Sequence, residues 1–239
     1  NYGADGAGST AYSLSLSSTS VGSGLYALGT GAGVPGTEIT MTQTGNTITG
    51  SAGTDNYFTI AIDTSTGVVT FDQLAAIYHA NENNPDDSST LATTTASDLK
   101  LTATVTDADG DSVTHDLNLG ASIFSIKDDG PSITTGNVGV ADTLMVDETT
   151  LSTDATANFA DNFTSAINYG ADGAGSTAYS LSLSSASVAS GLYALGTGAG
   201  VQGTEITMTQ TGNTITGSAG GTDYFTIAIN TSTGVVTLN

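Results

Sequence analysis

Residues 1–72 return as residues 168–239 without insertion or deletion, and 63 of those 72 positions are identical. Near-identity over that length marks a recent tandem duplication, with a period of 167 residues from Asn1 to Asn168. Such a period is too long for a solenoid turn and matches one whole domain per repeat. Residues 73–167 occur once, so the chain holds every part of one repeat in permuted order. Inside that stretch "KDDGPS", residues 127–132, mixes charge, Gly and Pro in the manner of an interdomain linker. We therefore expect residues 1–130 to be the later part of one repeat, 131–132 a linker and 133–239 the earlier part of the next. The other division takes 1–72 and 168–239 as two copies of a small module on either side of a different domain, 73–167. The chain starts in mid-pattern and shows no amino-terminal signal peptide, as expected of a piece of something longer.

The repeated segment reads as β-structure. Period-two alternation places Tyr12, Leu14 and Leu16 on one face, as it does Phe58, Ile60 and Ile62, and Leu99, Leu101, Ala103 and Val105. Ser and Thr fill the outward positions, which suits strands with one solvated face. Gly45-Asn46 separates two alternating runs, a two-residue hairpin signal. Helical signals are short: "FDQLAAIYHA", residues 71–80, has room for two turns, and Phe159, Phe163 and Ile167 at four-residue spacing suggest another. The expected fold is all-β, an antiparallel β-sandwich with at most short helices.

Charge narrows the partners. There are 23 acidic residues against two basic ones, Lys100 and Lys127, for a formal net charge of −21. Phosphate binding needs Lys and Arg to displace counterions, so nucleic acid is excluded as a partner. An anionic membrane surface is excluded by the same sign of charge. No apolar run reaches the length of a membrane span. No Cys occurs, which removes disulfides and thiolate metal sites. What such a chain attracts is a hard cation, and Ca²⁺ prefers carboxylate oxygens.

In "VTDADGDSVTHD", residues 105–116, Asp107, Asp109 and Asp111 alternate around Gly110 at the tip of an expected hairpin. One reading is a plain turn in which Asp109-Gly110 supplies positive φ angles. The other is a calcium loop, because carboxylates that close repel unless a cation sits among them. It is no EF-hand, since Gly110 is the fourth loop position and Asn118 stands at the twelfth. A second acidic group gathers at the expected junction: Asp128 and Asp129 before Pro131, and Asp147 and Glu148 in "VDET". Calcium shared there would stiffen the joint, whereas without it these are the charges of a solvated linker. Asp5 and Asp172, in the two "GADGAG" stretches, are weaker candidates.

The chain is not expected to be an enzyme. His115 falls in phase with Val113, Leu117 and Leu119 as a packed or edge residue, and His79 precedes an Asn-rich loop. No GxSxG elbow is present, and the acids cluster at turns rather than on strand ends lining a cleft. Alternating Thr40, Thr42 and Thr44 form one strand per period, an ordinary solvent face.

The combination "LTATVTDADGDSVTHDLNLG…FSIKDDGPS", then "VDET" and "YGADG", with "AIYHANENNPDD" upstream, resembles the tandem repeats of very large RTX-type adhesins exported by bacterial type I secretion systems. The resemblance implies Ca²⁺-dependent, extracellular Ig-like or cadherin-like β-sandwich modules, strung into a rod that holds a terminal binding domain away from the cell. It implies neighbouring repeats of the same chain as partners and a secretion signal far toward the carboxy terminus. Carried over by position, it implies Asp107, Asp109, Asp111, Asp128, Asp129, Asp147 and Glu148 as ligands. The glycine-rich nonapeptide of the RTX β-roll is absent. An alternative function is recognition of glycan or a neighbouring cell, which would use exposed aromatics drawn from Tyr2, Tyr12, Tyr26, Tyr57 and Tyr78.

Overall fold

Most strands form where apolar side chains alternate with Ser and Thr, and the computed structural model describes every residue but Asn1, Tyr2, Asp5, Ala7 and Ala32. The chain divides into two compact units. Unit 1 comprises Asn1–Pro131 and Tyr169–Ala174, and unit 2 comprises Ser132–Asn168 and Gly175–Asn239. Both are all-β and antiparallel, consistent with a β-sandwich.

Unit 1 contains β1 (Ser9–Leu16), β2 (Val21–Leu28), β3 (Pro35–Thr44), β4 (Thr47–Ala52), β5 (Asp55–Ile62), β6 (Val69–Gln73), β7 (Ser88–Ala92), β8 (Leu99–Thr106), β9 (Ser112–Asn118) and β10 (Ala121–Lys127). A five-stranded sheet runs β2-β3-β4-β5-β6, and smaller sheets run β1-β8-β9 and β10-β7. Ile39, Met41, Ile48, Phe58 and Ile60 of the large sheet meet Leu14, Leu91, Leu99 and Ile126 of the small ones in one buried core. Gly45 opens the β3–β4 hairpin at φ 60°, where a side chain would be strained, and Thr44 faces Thr47 across it. In β4 the ring of Phe58 covers Gly50 so closely that a Cβ there would lie 2.3 Å from it.

Unit 2 contains β11 (Ser132–Ile133), β12 (Ala155–Asn158), β13 (Ile167–Asn168), β14 (Ser187–Leu195), β15 (Gln202–Thr211), β16 (Thr214–Ala219), β17 (Thr222–Ile229) and β18 (Val235–Leu238). Its main sheet runs β12-β18-β17-β16-β15-β14, beside the short pair β11-β13. The duplicated hairpins keep their register: Thr42 faces Thr49 in unit 1, and Thr209 faces Thr216 in unit 2. The copies differ in one strand. Residues 176–183 repeat the sequence of β1, yet residues 178–183 join no sheet.

Both expected helices give way to other structure. Val69–Gln73 is β6, paired with β5, and residues 74–80 are irregular. Phe71 is taken into the strand because its ring packs 5.4 Å from Phe58 and 5.2 Å from Phe124, and tertiary packing outweighs weak local propensity. Between Phe159 and Ile167 there is one 3₁₀ turn, Asp161–Phe163, before β13 begins. His115 is exposed, as are Val113 and Leu117 at 68% and 59%, because β9 is the edge of its sheet.

Candidate metal centres

The β8–β9 hairpin carries the aspartate loop. Pairing runs to Thr106 opposite Ser112, and the Asp107 N–H donates to the Asp111 carbonyl at 3.0 Å, closing residues 107–111 into a tight turn. Gly110 alone supplies the positive φ, 105°, so the expectation of two such angles at Asp109-Gly110 is corrected to one. The Asp107 Oδ1 accepts the N–H of Gly110 at 3.1 Å and that of Asp111 at 2.9 Å, which turns its carboxylate inward over the loop. Carboxylate oxygens of Asp107, Asp109 and Asp111 all lie within 4.8 Å of one another. A hydrogen bond with the Asp109 carboxyl, and then the main-chain N–H groups of Asp111, Gly110 and Asp109, hold Asp107 below the ordinary carboxylate range.

A second group forms in unit 1 where β7 and β10 continue side by side past their paired residues. The Asp128 N–H donates to the Asp87 carbonyl at 2.8 Å and the Gly130 N–H to the Pro85 carbonyl at 3.0 Å. This brings His79, Asp87 and Asp128 together, again with ligand atoms within 4.8 Å. The His79 side chain is 5% exposed, with Nδ1 3.2 Å from Ser89 Oγ and 3.4 Å from Asp87 Oδ1. That last approach lies off the hydrogen-bond line, so Asp87 Oδ1 is buried without a donor. Asp172 belongs to the same unit, beside Gly170, whose missing Cβ lets residue 129 approach: a Cβ there would lie 1.8 Å from the Asp129 carbonyl oxygen. Burial raises the Asp172 carboxyl above its ordinary value, Asp128 and Asp129 add to the rise, and His79 opposes it. Asp5, its counterpart, lies outside the described residues.

The remaining candidates are placed differently. Asp129 donates its own N–H to Asp128 Oδ1 at 2.9 Å, and its carbonyl accepts from Ala171. Asp147 lies in unit 2 as the N-cap of the 3₁₀ turn Glu148–Thr150, accepting from the N–H and hydroxyl of Thr149, and those two bonds hold its carboxyl below the ordinary range. Among the described residues neither Asp147 nor Glu148 joins a group of three potential ligands. Asp87 was not legible as a ligand from sequence. The available signal was the spacing of His79 from "PDD", residues 85–87, across the Asn-rich loop.

Neither group has a lysine to neutralise it. Lys100 Nζ pairs with Asp116 at 3.1 Å, and Lys127 Nζ with Asp86 at 2.8 Å. The donor set of the 107–111 loop, oxygen only and convergent, fits Ca²⁺. The orphaned Asp87 oxygen also fits a cation, but the His79 nitrogen makes that group a poorer match to calcium and a better one to a transition metal. Among the described residues no helix is long and apolar enough to cross a membrane.

No curated protein and no solved structure matches the chain. A family model matches residues 1–120 and 143–239, most of the sequence. The chain thus belongs to the family described as "Domain of unknown function (DUF5801)", its two matched stretches each containing one copy of the duplicated segment.

Proposed function

We propose that this chain is a non-catalytic extender segment of a bacterial cell-surface adhesin of the RTX type, exported to the extracellular side and stiffened by Ca²⁺, with neighbouring repeats as its partners. One observation carries the reading: three alternate aspartates on a hairpin tip converge within 4.8 Å, with no cation of the chain among them. The N–H groups of Gly110 and Asp111 account for the placement of Asp107 in an ordinary turn but not for the approach of the Asp111 carboxylate as well, and a bound Ca²⁺ would offset the repulsion and tie β8 to β9. Near-identical duplication supports a spacer, because copies that only add length need not diverge in role.

The test is a thermal melt in millimolar Ca²⁺ against chelator. Binding at about 100 times Kd stabilises by about 2.7 kcal/mol, so the melting temperature rises in calcium, and the paired variant Asp107→Asn with Asp111→Asn abolishes the rise. An unchanged melt in the parent chain sinks the calcium reading. Solution scattering on the same samples reads the second consequence, a longer and narrower distribution of dimensions in Ca²⁺.

A further inference from the structure

Residues 9–16 and 176–183 are the same octapeptide, STAYSLSL. In unit 1 it is β1, paired along its length with β8: Tyr12 faces Ala103, Leu14 faces Leu101 and Leu16 faces Leu99. Its other edge is tied to the rest of the unit. The Tyr12 N–H donates to the Thr64 carbonyl at 2.8 Å, the Gln43 amide donates to the Leu14 carbonyl at 2.7 Å, and the Leu16 N–H donates to Gln43 Oε1 at 3.2 Å.

Unit 2 reproduces all three ties. The Tyr179 N–H donates to Thr231 at 2.9 Å, the Gln210 amide to the Leu181 carbonyl at 2.7 Å, and the Leu183 N–H to Gln210 Oε1 at 3.1 Å. Residues 178–183 are therefore held in strand position by one edge. The opposite edge, formed by main-chain groups of Ala178, Ser180 and Ser182, is the side that β8 occupies in unit 1.

The side chains tell the same story. Tyr179, Leu181, Ile227, Ile229, Val236 and Leu238 line an apolar cavity of about 640 Å³ in unit 2. Their counterparts in unit 1, Tyr12, Leu14, Ile60, Ile62, Val69 and Phe71, form one cluster with Leu99, Leu101 and Phe124. Close-packed interiors hold few voids larger than a water molecule. Other parts of residues 73–127 account for exposure elsewhere: β7 lies against β2, where Leu25 is 3% exposed, and its counterpart Leu192 is 56% exposed.

We propose that the open face of unit 2 is a docking site for a β-segment with the sequence of residues 73–127. Its Leu99–Thr106 strand pairs with residues 178–183, Leu101 opposite Leu181 and Leu99 opposite Leu183, and Leu99, Leu101 and Phe124 fill the cavity. A second copy of the chain is a poor occupant, because each copy carries the octapeptide twice and β8 once, and that β8 is already paired. The inference rests on the tandem-array reading only for the source of the segment, the repeat that follows. The docking itself stands on the duplication and needs no calcium.

The experiment is hydrogen exchange on the full chain in chelator, with and without a separately made polypeptide of residues 73–131. A second arm appends the same residues in frame after Asn239. Amides of Ala178, Ser180 and Ser182 are expected to exchange about tenfold more slowly or better in either arm, and the slowing disappears when the added segment carries Leu99→Asp and Leu101→Asp. No slowing in the appended chain overturns the proposal. Equal slowing with the doubly substituted segment overturns it as well, and slowing that grows with the concentration of the chain alone assigns the face to a second copy instead. A chain that docks the segment yet melts alike with and without Ca²⁺ sinks the calcium reading and leaves this one standing.

Discussion

Asp107 shows how much a single side chain settles at the hairpin tip. Its Oδ1 accepts two main-chain N–H groups, and its folded pKa is depressed. A depressed carboxyl stabilises the fold at pH above its unfolded value of about 4, and that contribution is lost as pH falls through the lower folded value. In chelator, a chemical-shift titration of Asp107 should have its midpoint below that of an ordinary aspartate, and Asp107→Asn should remove the acid dependence of the Gly110 and Asp111 amides. A midpoint at or above the ordinary value contradicts the loop geometry. The same chemistry explains a tolerated difference between the copies: Asp63 accepts from Ser65 and Thr66 at 2.9 and 3.1 Å, and its replacement Asn230 accepts from Ser232 and Thr233 at 3.0 and 3.1 Å. An amide oxygen serves that turn as well as a carboxylate does. The convergence of Asp107, Asp109 and Asp111 was legible because alternate residues on a tight turn have nowhere else to go. The meeting of His79, Asp87 and Asp128 was not, because only the pairing of β7 with β10 joins them.

At the scale of elements, β8 decides the fate of β1. Leu99 is fully buried and stands opposite Leu16 in the ladder. Leu99→Ala should destabilise unit 1 by about 2–5 kcal/mol, through lost transfer energy and the cavity left behind. Denaturant titration measures that loss, and faster exchange along β1 should accompany it; a change under 1 kcal/mol would show that β8 is not what covers this core. The alternation that marks strands was readable throughout, and the Gly45-Asn46 hairpin followed from it because turn chemistry is local. The stretch from Phe71 to Ala80 has apolar spacing that fits a helix turn, while the partners that make β6 a strand, β5 and Phe124, lie elsewhere in the chain.

At the scale of the whole molecule, the two units test one sequence in two surroundings. β4 and β16 are the same hexapeptide, TITGSA, in the same hairpin. Ile48 is 0% exposed within a core completed by residues 73–127, whereas the unit that holds Ile215 opens onto the apolar cavity. Native-state hydrogen exchange should therefore find β4 amides protected about tenfold or more over those of β16; equal protection would mean that residues 73–127 add little stability. Sequence alone determined the duplication, the β-rich alternation, the excess of acid and the clustering of three aspartates on one turn, since each is written in adjacent or regularly spaced residues. Tertiary structure decided which copy of STAYSLSL becomes a strand and which histidine joins which aspartates. The physical reason is that a strand is completed by a partner, and a partner's presence is a property of the fold around the segment rather than of the segment itself.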